Sequence, residues 1–126
     1  MQLIGPINSG AAVGADGSAT ATGESTMTVV GLVYAVVVKY NDSPPAATCD
    51  VTVKTKGTSP NAPTKNILAI ANSATDAEYK PRSDYHSTAG VAAGANDALL
   101  AVHDKIQVVI AQANAGDNAD VWLYVL

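Results

Sequence analysis

The chain has 126 residues, 48% of them hydrophobic and only 14% charged, with a net charge of −4. That length fits one domain with room for a real core. Scattered lysines in an acidic chain argue against nucleic acid as a partner, because phosphate binding needs clustered Lys or Arg. No apolar run approaches the roughly 20 residues of a membrane-crossing helix, so no membrane is expected either.

Met1 to Ile7 is apolar and is broken at Gly5-Pro6. It carries no basic region, so no signal peptide is expected. Asn8 to Ser25 is small and polar, with glycines at 10, 14, 17 and 23 and a turn pattern at Ala15-Asp16-Gly17-Ser18. Residues 1–25 therefore read as an extended N-terminal arm and linker, with the Thr-Ala-Thr run as an alternative edge strand. Residues 26–126 read as a single β-sandwich domain.

Thr26 to Tyr40 is the strongest strand, rich in β-branched residues, with Gly31 expected at a bulge or bend. Asn41-Asp42-Ser43-Pro44-Pro45 breaks it. Thr48 to Lys56 alternates, with Cys49, Val51 and Val53 on the inner face, which predicts a buried, inert thiol. As the only cysteine, Cys49 has no disulfide partner within the chain. After a Pro-containing loop from Gly57 to Pro63, Asn66 to Ala71 is a short strand. Gly90 to Ala101 is alanine-rich and is expected to carry a helical turn around Asp97 to Ala101. Lys105 to Ala113 and Asp120 to Leu126 predict a closing hairpin across Asn114-Ala115-Gly116-Asp117-Asn118. Several short strands with little helical periodicity predict an all-β fold, an antiparallel β-sandwich of jelly-roll type.

Val29 to Val38 is apolar on both faces, and so is Val121 to Leu126. A two-sheet sandwich buries one face of each strand. The second face needs a cover, which predicts a homo-oligomer or a chain bound to a larger surface.

The chemistry-bearing segment is Ser73 to Gly90, SATDAEYKPRSDYHSTAG, which holds the only arginine. Tyr79, Pro81, Arg82, Tyr85 and His86 are interface candidates there, since Tyr and Arg combine contact area with directional hydrogen bonds. The alternative is that Tyr79 and Tyr85 cap the chain's own core while Arg82 pairs with a carboxylate. Leu3, Ile4 and Ile7 are the apolar contacts expected of the N-terminal tip, either on a neighbour or folded back on the sandwich. Asp84 beside His86 lacks a strained nucleophile turn, so no catalytic residue is assigned. No carboxylate spacing suits calcium and no glycine pattern suits a phosphate, so neither a metal nor a cofactor is expected.

From Asn66 onward, the order NILAIANSATD, EYKPRSDYHSTAG, a small-residue stretch and DKIQVVIAQANAGDNADVWLYVL resembles small head proteins of tailed bacteriophages. GADGSATATGES before the valine-rich strand fits as well. The resemblance implies a decoration or cement protein on the virion, with the major capsid protein as its partner and a trimer as its assembly. The alternative is a carbohydrate- or receptor-binding sandwich of a head fibre, with Tyr79, Tyr85 and Trp122 as stacking platforms.

Overall fold

The computed structural model describes residues 1–43, 45–58, 60 and 63–126. Pro44, within the expected strand break, and Ser59, Asn61 and Ala62, within the expected loop, lie outside the described residues. Among the described residues nine strands run in chain order: β1 Gln2–Asn8, β2 Ala19–Glu24, β3 Val29–Tyr40, β4 Asp50–Thr55, β5 Asn66–Ile70, β6 Ala77–Tyr79, β7 Leu100–Asp104, β8 Ile106–Ala113 and β9 Ala119–Val125. No helix occurs among the described residues, so none could cross a membrane.

The strands form two antiparallel sheets. One has the order β1-β9-β3-β6, with β7 also paired to β3, and the other has the order β2-β8-β4-β5. At Val33, β3 pairs with Leu100 of β7 on one side and Val125 of β9 on the other, so β6 and β7 share one edge of β3. Apart from β7, successive strands alternate between sheets except where β4 pairs with β5, which is the winding of a jelly roll. Val36 and Val38 from β3 and Val121, Leu123 and Val125 from β9 share one core with Val51 and Val53 of β4 and Ile106, Val108 and Ile110 of β8. Each such side chain contributes about 1.5–3 kcal/mol through burial.

Three expectations are corrected. Residues 1–25 take the edge-strand alternative and not the free arm: β1 pairs with β9 and β2 with β8, so both are edge strands of the chain's own sheets. The apolar tip and the Thr-Ala-Thr run find backbone partners there, and Ile7 enters the core at 4% exposure. Lys105–Ala113 and Asp120–Leu126 are strands but not a hairpin, because β8 and β9 belong to opposite sheets. β9 buries every second residue, and so does β8 from Ile106 to Ile110 before the alternation slips and Ala113 is buried in place of Gln112. The loop between them crosses the end of the sandwich to keep both sets inside. Its Asp117 carboxylate makes that crossing possible by accepting from Asn114 N at 2.9 Å and Ala46 N at 3.0 Å. The helical turn around Asp97–Ala101 is also absent. Leu100 to Asp104 extends as β7 against Val29 to Val33, where β-pairing and the burial of Val102 outweigh the helix preference of alanine.

Cys49 is fully buried just before β4. Burial, with Asp117 as a smaller cause, pushes its thiol up to about 11. Asp104 is 2% exposed, and its carboxylate accepts from Thr58 Oγ1 and from the backbone amides of Gly57, Thr58 and Lys105.

Candidate docking face

The parity of β3 changes along its length. Val29 and Val33 point into the core at one end, and Val36, Val38 and Tyr40 at the other. Val33 pairs with Val125 and Ala35 with Tyr124, so Tyr34 is an additional residue, a β-bulge. Before the bulge, Val30 and Leu32 therefore point outward, and after it Ala35 and Val37 do. Gly31, where the sequence suggested the bulge, serves a different purpose. Its φ is +148°, and a Cβ there would stand 2.7 Å from Leu126 O and 2.5 Å from a Val125 methyl, so only glycine lets β9 end this close.

The result is an apolar outer face on the β1-β9-β3 sheet. Leu3 is 55% exposed, Val30 63%, Leu32 41% and Leu126 53%. Tyr124 lies between Leu3 on one neighbouring strand and Ala35 on the other, and Trp122 lies beside Val37. Trp122 is half-buried under β1, where a Cβ on Gly5 would stand 2.9 Å from its ring. The outer face of the other sheet differs. Its half-buried Val109 is flanked by Thr22 and Thr52, with Lys54 and Gln107 paired next in register and Glu24 ion-paired to Lys56 at 2.7 Å.

Tyr34, Tyr124 and Glu78 surround a cavity of about 120 Å³, with Ala35 and Met1 completing its lining. Ala35 is 1% exposed, and its small side chain leaves room for this space between the neighbouring residues. Glu78 pairs with Lys80 at 3.3 Å on its exposed side. Arg82 approaches Tyr34 from the loop after β6. Its Nη1 donates to Tyr34 O at 3.0 Å and to Pro81 O at 2.8 Å, and its guanidinium carbon lies 5.4 Å from the Tyr34 ring centroid. The bulge thus exposes a backbone carbonyl, and the only arginine satisfies it.

The sequence-derived candidates divide. Ile7 belongs to the core, and Ile4 and Tyr79 pack against it, so these three are corrected from interface to interior. Their alternation on paired strands points them between the sheets. Leu3 lies on the outer face, and Arg82 adjoins it through Tyr34. Pro81 contributes its carbonyl to Arg82, and no ion pair among the described residues includes Arg82, so the carboxylate pairing of the alternative is not found there. Tyr85 is 53% exposed on the projecting loop, and His86 bridges to Ala92 through its backbone. No hydrogen bond among the described residues joins Asp84 to His86, and no group of three His, Cys, Asp or Glu residues among them could hold a metal. Tyr79, Tyr85 and Trp122 do not form one platform, since Tyr79 faces the core and Trp122 the opposite side of its sheet. Val30, Leu32, Tyr34, Tyr124 and Leu126 were missed as site residues. The two-faced apolar pattern of β3 and β9 was the signal that could have named them.

No protein-family model matches the chain, and no curated protein matches it in sequence. Among solved structures it is similar to a carbohydrate-binding module, the CBM32 of AlyQ in complex with 4,5-unsaturated mannuronic acid. The identity is 8% and the TM-score 0.43, over 93% of this chain and 74% of that one.

Proposed function

We propose that the chain is a structural virion protein that binds the outside of a phage major capsid shell and stabilises it, docking through the outer face of the β1-β9-β3 sheet. The observation that carries the reading is the contrast between the two sheet faces: one presents Leu3, Val30, Leu32 and Leu126 to solvent, the other threonines and charges. Exposed apolar surface concentrated on one face favours a partner. The capsid as that partner, and the trimer as the acting assembly, rest on the resemblance of the segments from Asn66 onward to phage head proteins. The reading assigns the chain no catalytic step and no cofactor.

The test is sedimentation of the purified protein with empty shells of the phage that encodes it. Wild-type protein should pellet with the shells, and Leu32→Lys should remain in the supernatant while melting normally. A wild-type protein that stays in the supernatant, or a Leu32→Lys variant that binds as well as wild type, removes the proposal. Light scattering of the free protein tests the trimer.

The cavity between Tyr34 and Tyr124 supports a second reading, glycan binding. Two aromatic rings beside the Glu78 carboxylate offer a sugar both a stacking surface and a hydrogen-bond acceptor. A glycan array separates the readings: a hit lost in Tyr124→Ala supports sugar recognition, and a blank array removes it.

A further inference from the structure

We infer that Arg82 is a carboxylate receptor at the rim of the docking face, taking an acidic group of the partner protein. The inference rests on the docking reading above and adds the chemistry of one contact.

Three observations carry it. First, the guanidinium is held before any partner arrives. Nη1 bridges the carbonyls of Tyr34 and Pro81, and the Tyr34 ring lies beneath the group. A long side chain fixed in this way loses little further freedom on binding. Second, its charge is uncompensated. The ion pairs among the described residues join Lys56, Lys80 and Lys105 to Glu24 and Glu78, and none includes Arg82. Both of its hydrogen bonds among the described residues use Nη1 and end on neutral carbonyls, and Nε and Nη2 donate to none of those residues. Third, Arg82 is half-buried and adjoins Tyr34, whose side chain is partly exposed beside the apolar outer face. Docking an apolar partner there removes water from the guanidinium, which then needs an anionic acceptor. A carboxylate matches the planar fork in two parallel hydrogen bonds.

A neutral or cationic partner group at this position would leave a desolvated charge unpaired. The site therefore selects partners as well as binding them. The shared chemistry is a carboxylate, whether from an Asp or Glu side chain or from a chain terminus.

As Arg82 is the only arginine, its Nε–H resonance is assigned by composition alone. Acetate is the probe, titrated at constant ionic strength against chloride and against acetamide. A saturable shift of that resonance with acetate alone is expected. No shift, or an equal shift with chloride, overturns the receptor role. In the shell assay, Arg82→Lys keeps the charge and can still donate to the Tyr34 carbonyl, but it loses the fork. It is expected to weaken binding roughly ten- to a hundred-fold with an unchanged melting temperature. Undiminished shell binding by Arg82→Lys overturns the inference and leaves the docking face standing. Failure of wild-type protein to bind shells removes the docking reading, and the acetate titration still decides Arg82 independently.

Discussion

The backbone carbonyl of Asn8 occupies the space where a Cβ on Gly23 would stand. Asn8 ends β1 in one sheet and Gly23 belongs to β2 in the other, so this contact closes the open side of the sandwich. Gly23→Ala must push the two edges apart, at a cost of about 1–3 kcal/mol, typical of overpacking. Ile7→Ala, in the same corner, should cost about 2–5 kcal/mol. Thermal unfolding of the isolated chain measures both. A tip that served only to clasp a neighbour would leave the isolated chain's melting temperature unchanged in both variants.

The strand pattern was legible because period-two alternation is a local property: Val51, Val53 and Ile106, Val108 and Ile110 of β8 announce their inner face without any partner. Which strands pair was not legible. Alternation is satisfied equally by a hairpin and by a crossing between sheets, and the crossing at Asn114–Asn118 depends on Asp117 reaching Ala46, far away in sequence. The docking face was half legible. Surplus valines on β3 showed that a second face existed, but the added residue at Tyr34 sets which valines occupy it, and a bulge has no fixed sequence mark. Arg82 stood out by composition, whereas its hydrogen bond to the Tyr34 carbonyl depends on that bulge.

Ahead of the bulge, the alternation of β3 makes a sharp prediction for two residues three positions apart. Val30→Lys should change stability by no more than about 0.5 kcal/mol, as an outward surface substitution. Val33→Lys should unfold the chain, since it places an unpaired charge between Val125 and the facing sheet. Circular dichroism melts of the two variants give the answer. Equal effects would mean that the register of β3 is wrong.

Cys49 should react slowly with a thiol reagent at neutral pH and quickly once denaturant is added, because it is fully buried. Its thiol is pushed by burial from an ordinary value of 9.0 to about 11. The native chain therefore holds a proton that the unfolded chain releases, and stability falls as pH rises from the lower value towards the higher. Tyr40, pushed by burial to about 12, acts in the same direction at still higher pH. Cys49→Ala should remove the earlier part of the alkaline loss and leave the later part. Urea midpoints across the alkaline range measure it, and an unchanged slope in Cys49→Ala would show that the thiol is not the titrating group.

Acid should act through Asp104. The hydrogen bond from Thr58 is the main cause that holds its carboxyl below the usual 3.8, with the backbone amides of Gly57, Lys105 and Thr58 assisting. Lowered in the folded state, the group contributes stability that is fully present above the unfolded value. That stability is lost as pH falls through the lower folded value. Protonation leaves a carboxylic acid that cannot accept from all four donors, so the Gly57-Thr58 turn should detach from the β7–β8 corner first. Protection of the Gly57 and Thr58 amides should be lost as pH falls through that lowered folded value, ahead of global unfolding. Asp104→Asn should show the fast exchange already at neutral pH, with little further change on acidification. If both amides stay protected in that variant, the carboxylate is not what holds the turn.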